Sequence, residues 1–439
     1  QNTRFIVGAS LNESDGFDLT ADNQGNDRDT DGQRNKAFFG RLDHDFNQDW
    51  SAGVSVNEQN GKNEYDDAYD VMPGTPEDQF RVRGYNGYVQ GRLSDTWQSR
   101  IELGRSEDRN KAVGSRSNDG SIATYRHSAS WLNQIQLSAN QELNIGSDWQ
   151  RDRLDATNAY SKTRRENLGA FAQHSWSTES FSTELGMRHD DNQHFGNHNT
   201  WNAALAIPSG DNQQWILSYA TAFRAPTFND LYAPPGWGGN PDLDPERSRS
   251  MELQWRADFM DTHLEASLYR TDTKDLIAYD SGSAQVENTK QARINGLEVS
   301  VASELMGWTA QTALSIIDPR DRQTGKTLQL RAKRTLTMDL DRRFGNLGFG
   351  ATWALFSQRY ADAANSETLA GYGTLDLRSS WQATTATRLD LKLSNVLDRD
   401  YHLGTYQRPT GPWPAPSIDY AYQEQGRAAL VSVTWTPQL

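Results

Sequence analysis

Residues 252–268 read ELQWRADFMDTHLEASL and carry the pattern that decides the fold. Apolar residues occupy every second position at 253–257 and again at 264–268, with polar or charged residues between them. Side chains of a β-strand point alternately to its two faces, so each run predicts a strand with one apolar and one polar face. Asp261 and Thr262 separate the runs and predict a tight turn. The stretch is therefore interpreted as a β-hairpin.

The same alternation recurs along most of the chain. It is clear at 336–341, at 389–394 and in the final run at 429–435. We count about 20 such segments, whereas the 3.6-residue period of an amphipathic helix is hardly found. The chain is therefore predicted to be all-β.

The connections between these segments alternate in length. Short turns are predicted near residues 47–49, 94–96, 177–179, 211–212, 261–262, 345–346 and 384–385. Long polar loops are predicted at residues 14–34, 60–79, 106–119, 224–247, 318–327, 357–370 and 398–420. Because alternate connections lie at opposite ends of an antiparallel sheet, all the long loops emerge at one end. This arrangement is typical of a large transmembrane antiparallel β-barrel with short periplasmic turns and long extracellular loops.

Composition agrees with a barrel and excludes other classes. The 439 residues have a mean hydropathy of −0.82, and their longest apolar runs are far shorter than the roughly 20 residues of a spanning helix. A formal net charge of −14 argues against a nucleic-acid partner, and the absence of Cys excludes a disulfide scaffold. No repeat supports a soluble solenoid or propeller. Metalloprotease and serine-hydrolase motifs are missing, so we predict that the protein is not an enzyme.

A barrel of about 20 strands is too wide to be left open, because barrels of 22 strands already need a plug in their lumen. The chain contains no compact mixed α/β segment that could fill the bore. Such a plug is therefore expected upstream of Gln1.

Five stretches resemble motifs of TonB-dependent outer-membrane receptors, and the resemblance covers nearly the whole chain. They are FRAP at 223–226, NPDLDPERS at 240–248, YRTDTKDLI at 269–277, NTKQARINGLEV at 288–299 and NVLDRDY at 395–401. The resemblance implies a 22-stranded barrel in the outer membrane of a Gram-negative cell. Residues 1–439 would be its barrel domain, with the first two strands and the plug expected upstream. It also implies that the TonB energy-transducing complex acts through the missing plug region.

Acidic residues are concentrated in the first two long loops. They are Asp18, Asp27, Asp29 and Asp31 in one loop, and Asp66, Asp67, Asp70, Glu77 and Asp78 in the next. The two loops are neighbours on one rim, and packed carboxylates repel each other unless a cation neutralises them. Alternate carboxylates followed by Gly32 are also typical of calcium loops. From the residues alone, a calcium site and a solvated acidic surface both remain open.

These two loops are similar to the calcium-binding loops of the cobalamin receptors of this family. The resemblance implies calcium ligands at Asp18, Asp27, Asp29, Asp31, Tyr65, Asp66 and Asp78, with Tyr65 offering its backbone carbonyl. It further implies ligand contacts at Asp67 and Arg331. We therefore expect a transporter for cobalamin or a related corrinoid, with calcium as a structural cofactor of the extracellular loops.

Other cargoes and partners are also weighed. A ferric-siderophore or other metal-chelate receptor is the main alternative, since loop arginines could grip an anionic chelate; they are Arg151, Arg153, Arg164, Arg165 and Arg331. The same arginines could instead bind lipopolysaccharide phosphates. A haem receptor is disfavoured because residues 227–239 contain no His. A non-specific porin is the weakest reading.

The partners expected besides the corrinoid and TonB are outer-membrane lipid, lipopolysaccharide and, as a further candidate, a surface lipoprotein. His189, His194 and His198 lie close together in sequence. Their spacing matches no common ligand pattern, so we interpret them as exposed loop histidines rather than a transition-metal site.

Overall fold

The computed structural model is almost entirely β. It describes residues 2–18, 30–66, 76–114, 119–234, 236–280, 283, 285–409 and 417–436. The first strands are β1 (Thr3–Ser14), β2 (Gln33–Asp45), β3 (Trp50–Glu64), β4 (Glu77–Ser94), β5 (Trp97–Val113), β6 (Gly120–Ser138), β7 (Gln141–Ala156), β8 (Arg164–Ser177), β9 (Ser182–Asn192), β10 (Gly196–Pro208) and β11 (Gln213–Arg224).

A single-turn helix, α1 (Phe228–Tyr232), follows β11. The remaining strands are β12 (Glu246–Phe259), β13 (Thr262–Asp280), β14 (Gln285–Leu305), β15 (Trp308–Asp321), β16 (Arg334–Phe344), β17 (Leu347–Phe356), β18 (Arg359–Tyr360), β19 (Thr368–Leu369), β20 (Tyr372–Gln382), β21 (Thr387–Ser394), β22 (Thr405–Pro409), β23 (Ser417–Ala421) and β24 (Ala428–Trp435). Among the described residues, no helix is long and apolar enough to cross a membrane.

Twenty of these strands form one antiparallel sheet, which confirms the predicted count. Each strand of this sheet pairs with the next along the chain, from β1 through β17 and on to β20, β21 and β24. The short pairs β18–β19 and β22–β23 are separate hairpins within two of the long loops. In the described part of the chain, β1 and β24 each pair on one side only.

The apolar face of the sheet is continuous from strand to strand. Register aligns a row of branched side chains over β10 to β15; they are Leu205, Leu217, Leu253, Leu268, Leu297 and Ile316. Leu217 and Leu268 are more than half exposed, which only an apolar solvent makes favourable over so wide a surface. This face is therefore the outer face of the barrel, directed at lipid.

The opposite, luminal face is polar and joined by ion pairs across strands. Arg188 on β9 binds Asp190 at 2.7 Å and also Asp148 on β7 at 2.6 Å. Gly169 on β8 lies between the two aspartates in register. A Cβ at Gly169 would occupy the space of the Arg188 guanidinium, so the glycine keeps the path to Asp148 open.

All the long loops emerge at the same end of the sheet, as predicted. Every predicted short turn lies on one rim, the short-turn rim, where turns 139–140 and 306–307 are added to the set. The long-loop rim also holds connections that are not long. Only residues 193–195 connect β9 to β10, and residues 157–163 connect β7 to β8. Residues 106–119 were expected to form a loop, but β5 continues to Val113 and only residues 114–119 connect it to β6. Both faces of this strand end are polar, so no alternation marks it in the sequence.

The outer face predicts how the barrel responds to charge. We expect Leu253→Lys to lower the free energy of unfolding in phospholipid vesicles by roughly 2–4 kcal/mol, because the ammonium would lie at mid-depth in hydrocarbon. Gln254→Lys is the matched control, since Gln254 follows on the same strand but faces the lumen. Urea titrations of folded fraction measure both, and equal losses would contradict the assignment of the faces.

Candidate functional site

Three acidic side chains come together on the long-loop rim. One carboxylate oxygen from each of Asp18, Asp31 and Asp66 lies within 4.8 Å of the other two, and all three residues are half-buried. Asp18 follows β1, Asp31 precedes β2 and Asp66 follows β3. The cluster therefore joins the first two long loops, as their neighbouring positions predict.

Backbone hydrogen bonds fix the bases of both loops around this cluster. Asp31 donates its N–H to Phe17 O at 3.2 Å, and Glu64 donates to Gly32 O at 2.8 Å. Gly16 has a φ of +69° and lies so close to the Asp31 carbonyl that a side chain could not be accommodated. Tyr65 donates to Pro76 O at 3.0 Å, which closes the second loop. The carboxylates are thus held by main chain rather than by their own contacts alone.

The other predicted ligands have different outcomes. Asp27, Asp29 and Asp67 lie outside the described residues. Tyr65 adjoins Asp66 at the end of β3. Asp78 lies on β4 opposite Asn63 and is not one of the three clustered carboxylates. Arg331 is exposed in the loop between β15 and β16.

The chemistry of this donor set fits a hard cation. Carboxylate oxygens are the ligands that calcium prefers, and calcium tolerates irregular arrangements of six to eight of them, including backbone carbonyls and waters. Nitrogen and sulfur ligands, which transition metals favour, are absent from the three-residue cluster. Three ionised carboxylates so close together are favourable when a cation neutralises them.

A second ordered region of the long-loop rim is built around α1. Thr227 caps the helix by accepting from the Asp230 N–H, and the Asp230 carboxylate accepts from the Thr227 N–H in return. Leu231 and Tyr232 are buried against Leu154 of β7. Sequence analysis missed this core, because one helical turn is too short to show a period.

Polar contacts tie the same loop to its flanking strands. The Arg224 guanidinium donates two hydrogen bonds to Glu246, at 2.7 and 2.8 Å. Glu246 is buried and also accepts from the Ile277 N–H at 2.9 Å. Asn288 donates to the carbonyls of Asp244 and Asp275. Residues of four of the five motif stretches thus share one structural task, which is to fasten the loop after β11 to β12, β13 and β14.

His194 packs against α1 instead of being an exposed loop residue. A hydrogen bond of 2.7 Å joins its Nδ1 to the Tyr232 hydroxyl. Burial, and then the positive charges of Lys162 and Arg165, lower the pKa of His194 below its ordinary value of 6.5, against a hydrogen bond to the Pro241 backbone that raises it. His194 therefore supports the docked loop in its neutral form.

The other two histidines make separate contacts. His189 bonds Asn199 at 2.7 Å, and His198 stacks on Phe223 with ring centroids 4.5 Å apart. Within the described residues the three histidines do not form a group that could hold a metal ion. Half-burial of His194 and His198 corrects their description as exposed.

A cavity of about 620 Å³ opens beside α1 on the same rim. Tyr160, Tyr232, Pro234 and Pro241 line it together with several glycines. The described residues that line it include no charged side chain. Its surface suits a bulky ligand with apolar and hydrogen-bonding edges better than a strongly anionic one.

Comparison with known proteins agrees with this architecture. Residues 2–396 match the family model described as TonB dependent receptor-like, beta-barrel. The chain is 28% identical to the vitamin B12 transporter BtuB of Vibrio vulnificus over 389 residues, which is 85% of this chain and 61% of that protein. It is 26% identical to the vitamin B12 transporter BtuB of Photobacterium profundum over 397 residues, which is 88% of this chain and 64% of that protein.

The chain thus spans less than two thirds of the length of these two relatives. Among solved structures, a mutant of the ferric enterobactin receptor PfeA of Pseudomonas aeruginosa superimposes with a TM-score of 0.83 at 18% identity. That superposition covers 99% of this chain and 75% of the other, and it shows that the fold is shared.

The lowered pKa of His194 predicts that docking of α1 depends on pH. An undocked His194 binds a proton more readily, so the stability it contributes is present above its ordinary pKa of 6.5 and is lost as pH falls below that value. We expect amide exchange of α1 to accelerate between about pH 7.5 and pH 5.5, as measured by hydrogen–deuterium exchange with mass spectrometry. His194→Gln cannot gain a charge and should flatten this dependence; an unchanged slope in that variant would refute the role of His194.

Proposed function

Since this chain belongs to the TonB-dependent receptor-like β-barrel family, we propose that it is the barrel of a receptor that takes up cobalamin or a related corrinoid. Its place is the outer membrane, and its family consists of receptors and transporters rather than enzymes. The observation that carries the proposed cargo is the similarity to two vitamin B12 transporters, which extends over 85% and 88% of the chain.

Calcium would act as a structural cofactor of the extracellular loops. Asp18, Asp31 and Asp66 would hold it, with Asp27, Asp29, Tyr65 and Asp78 as further candidates from the sequence. The support is the close approach of three carboxylates from two loops and the oxygen chemistry of the set. A bound cation supplies a cross-link between these loops. The loops would then lose less conformational entropy when ligand arrives, and affinity would rise.

The cargo would bind among the extracellular loops. The uncharged cavity beside α1 offers tyrosine and proline surfaces to a large, mostly neutral macrocycle. Asp67 and Arg331 remain candidates for ligand contact, and Arg331 is exposed on the same rim. Asp67 lies outside the described residues.

A ferric-siderophore receptor is the alternative function. Superposition on siderophore receptors does not favour it, because at 18% identity or less it speaks for the fold alone. Two of the arginines that could grip an anionic chelate are engaged in structural contacts. Arg165 donates to Pro226 O at 2.6 Å, and Arg151 pairs with Glu166 at 2.8 Å. These contacts weaken the case for an anionic chelate held by these two arginines.

Transport would need partners beyond this barrel. The TonB complex would supply energy through a plug inside the lumen. Outer-membrane lipid and lipopolysaccharide would surround the outer face, and a surface lipoprotein is a further candidate for ligand capture. The non-specific porin reading has no support from the relatives, whose names describe a transporter of one vitamin.

The calcium proposal is tested by removing ligand charge without changing shape. We expect Asp31→Asn with Asp66→Asn to weaken calcium binding by the full-length protein by about tenfold or more, because each exchange removes one anionic ligand. Calorimetric titration with calcium alone measures this. Asp95→Asn with Asp211→Asn, on the short-turn rim, is the matched control.

Titration with cyanocobalamin, in calcium and then in chelator, tests the cargo separately. Tight binding that weakens on chelation in the wild type, and is already weak in the double variant, is the expected result. Binding that ignores both chelator and variant would remove calcium from the proposal and keep the cargo. No binding in either condition, with a ferric siderophore bound instead, would overturn the corrinoid.

A further inference from the structure

The outer face of β2–β5 carries a compact set of cations near the extracellular rim. Register places eight outward side chains in two adjacent rows across four strands. One row is Lys36, Asn60, Arg81 and Arg109; the other is Arg34, Lys62, Gln79 and Lys111. Six of the eight are Lys or Arg and the other two are neutral amides. We call these eight residues the basic grid.

The basic grid surrounds a concave site. All eight residues, with Gly61 and Phe80, line a cavity of about 490 Å³, and no carboxylate lines it. Lys62 pairs with Glu64 and Glu77 at 2.8 and 3.0 Å. Within the described chain, no carboxylate lies within ion-pair distance of four members; they are Lys36, Arg81, Arg109 and Lys111.

So many like charges in one place are unfavourable unless an anion offsets their repulsion. This clustering of six cations is the more notable because the chain as a whole has a net charge of −14. The two rows themselves contain no carboxylate. Glu13, Glu64 and Glu77 lie at their edges and, in the described structure, pair only with Arg34 and Lys62 among the six cations. The arrangement points to an anionic ligand from outside the chain.

Below the basic grid, the same outward face becomes apolar. Leu42, Val54, Gly87 and Leu103 form a register row that lies six to eight residues further along each strand, on the same face as the grid. Six residues of strand correspond to about 20 Å. Two open grooves run over this row, with volumes of about 690 and 680 Å³, and both are lined mainly by apolar groups.

A cationic cavity above apolar grooves is the chemical complement of one class of molecule. A lipid with phosphate groups carries its anionic oxygens at one end and its acyl chains at the other. Arg and Lys donate strong, charge-assisted hydrogen bonds to phosphate oxygens, and basic clusters at a membrane surface recognise anionic head groups. The basic grid lies above the apolar belt, where the head groups of the outer leaflet would meet the barrel.

We propose that the outer face of β2–β5 is a binding site for a phosphate-bearing lipid of the outer leaflet. The basic grid holds the phosphate groups, and acyl chains lie in the grooves over Leu42, Val54 and Leu103. This site is on the outside of the barrel and does not depend on the cargo. It also lies directly beneath the loops that carry Asp18, Asp31 and Asp66, so a bound lipid would sit against the bases of both loops.

The test uses the full-length protein in a non-ionic detergent and native mass spectrometry. Diphosphorylated lipid A is the probe, and phosphatidylethanolamine is the zwitterionic comparison. We expect lipid A to bind, and Arg81→Gln with Arg109→Gln to weaken its binding roughly 30-fold through loss of two head-group cations. Arg256→Gln with Arg388→Gln removes equal charge from the luminal face and should leave lipid A binding within twofold of wild type.

Heat-modifiable migration on gels checks that every variant is folded, and only folded variants are compared. Excess inorganic phosphate should not displace lipid A, because it cannot fill the grooves. Lipid A affinity that is unchanged in the Arg81 and Arg109 double variant would overturn the proposal. Equal losses in the luminal control, or full displacement by inorganic phosphate, would overturn it as well.

Discussion

The whole structure depends on one constraint: every barrel strand must satisfy two solvents at once. One face meets hydrocarbon and the other meets a polar lumen, and the side-chain period of two assigns residues to them. Within the described residues, register shifts interrupt only three of the ladders, which are β4–β5, β6–β7 and β13–β14. The aligned row from Leu205 to Ile316 exists because register brings the apolar residues of six strands to the same face. The luminal ion pairs, such as Arg188 with Asp148, follow from the same register on the other side. Backbone hydrogen bonds join the strands, but the need to match each face to its solvent selects the register in which they pair.

This constraint also explains how much the sequence predicts. Where a strand crosses lipid, alternation is obligatory, so the number of strands and the sidedness of the loops are legible. Where a strand rises above lipid, both faces are polar and the signal ends, which is why β5 continues to Val113 through a predicted loop. The clustering of Asp18, Asp31 and Asp66 is foreseeable because their loops are neighbours. The core under Leu231 is not, because it depends on tertiary contacts of a single helical turn.

The motifs that identify the family are largely architectural. Arg224 and the buried Glu246 form a clamp at the ends of β11 and β12. Asn288 donates hydrogen bonds to two carbonyls of neighbouring segments. A receptor for any cargo needs its loops fastened to the barrel. These residues therefore indicate the fold and do not identify the ligand. The proposed cargo and its proposed cofactor concern other features of the long-loop rim, which are the acidic cluster and the uncharged cavity beside α1.

Because the strands pair in sequence order, the barrel tolerates insertions in its loops but not within its strands. Every ladder joins neighbours along the chain, so each strand needs only its predecessor as a template. Lengthening a rim loop costs little, since loop-closure entropy grows by only about 0.6 kcal/mol for each doubling of loop length. One residue inserted within a strand would turn the remaining side chains of that strand to the wrong solvent, unless a β-bulge absorbs it. New binding surfaces can thus evolve in the loops at the rim, while the number of residues in each barrel strand stays fixed.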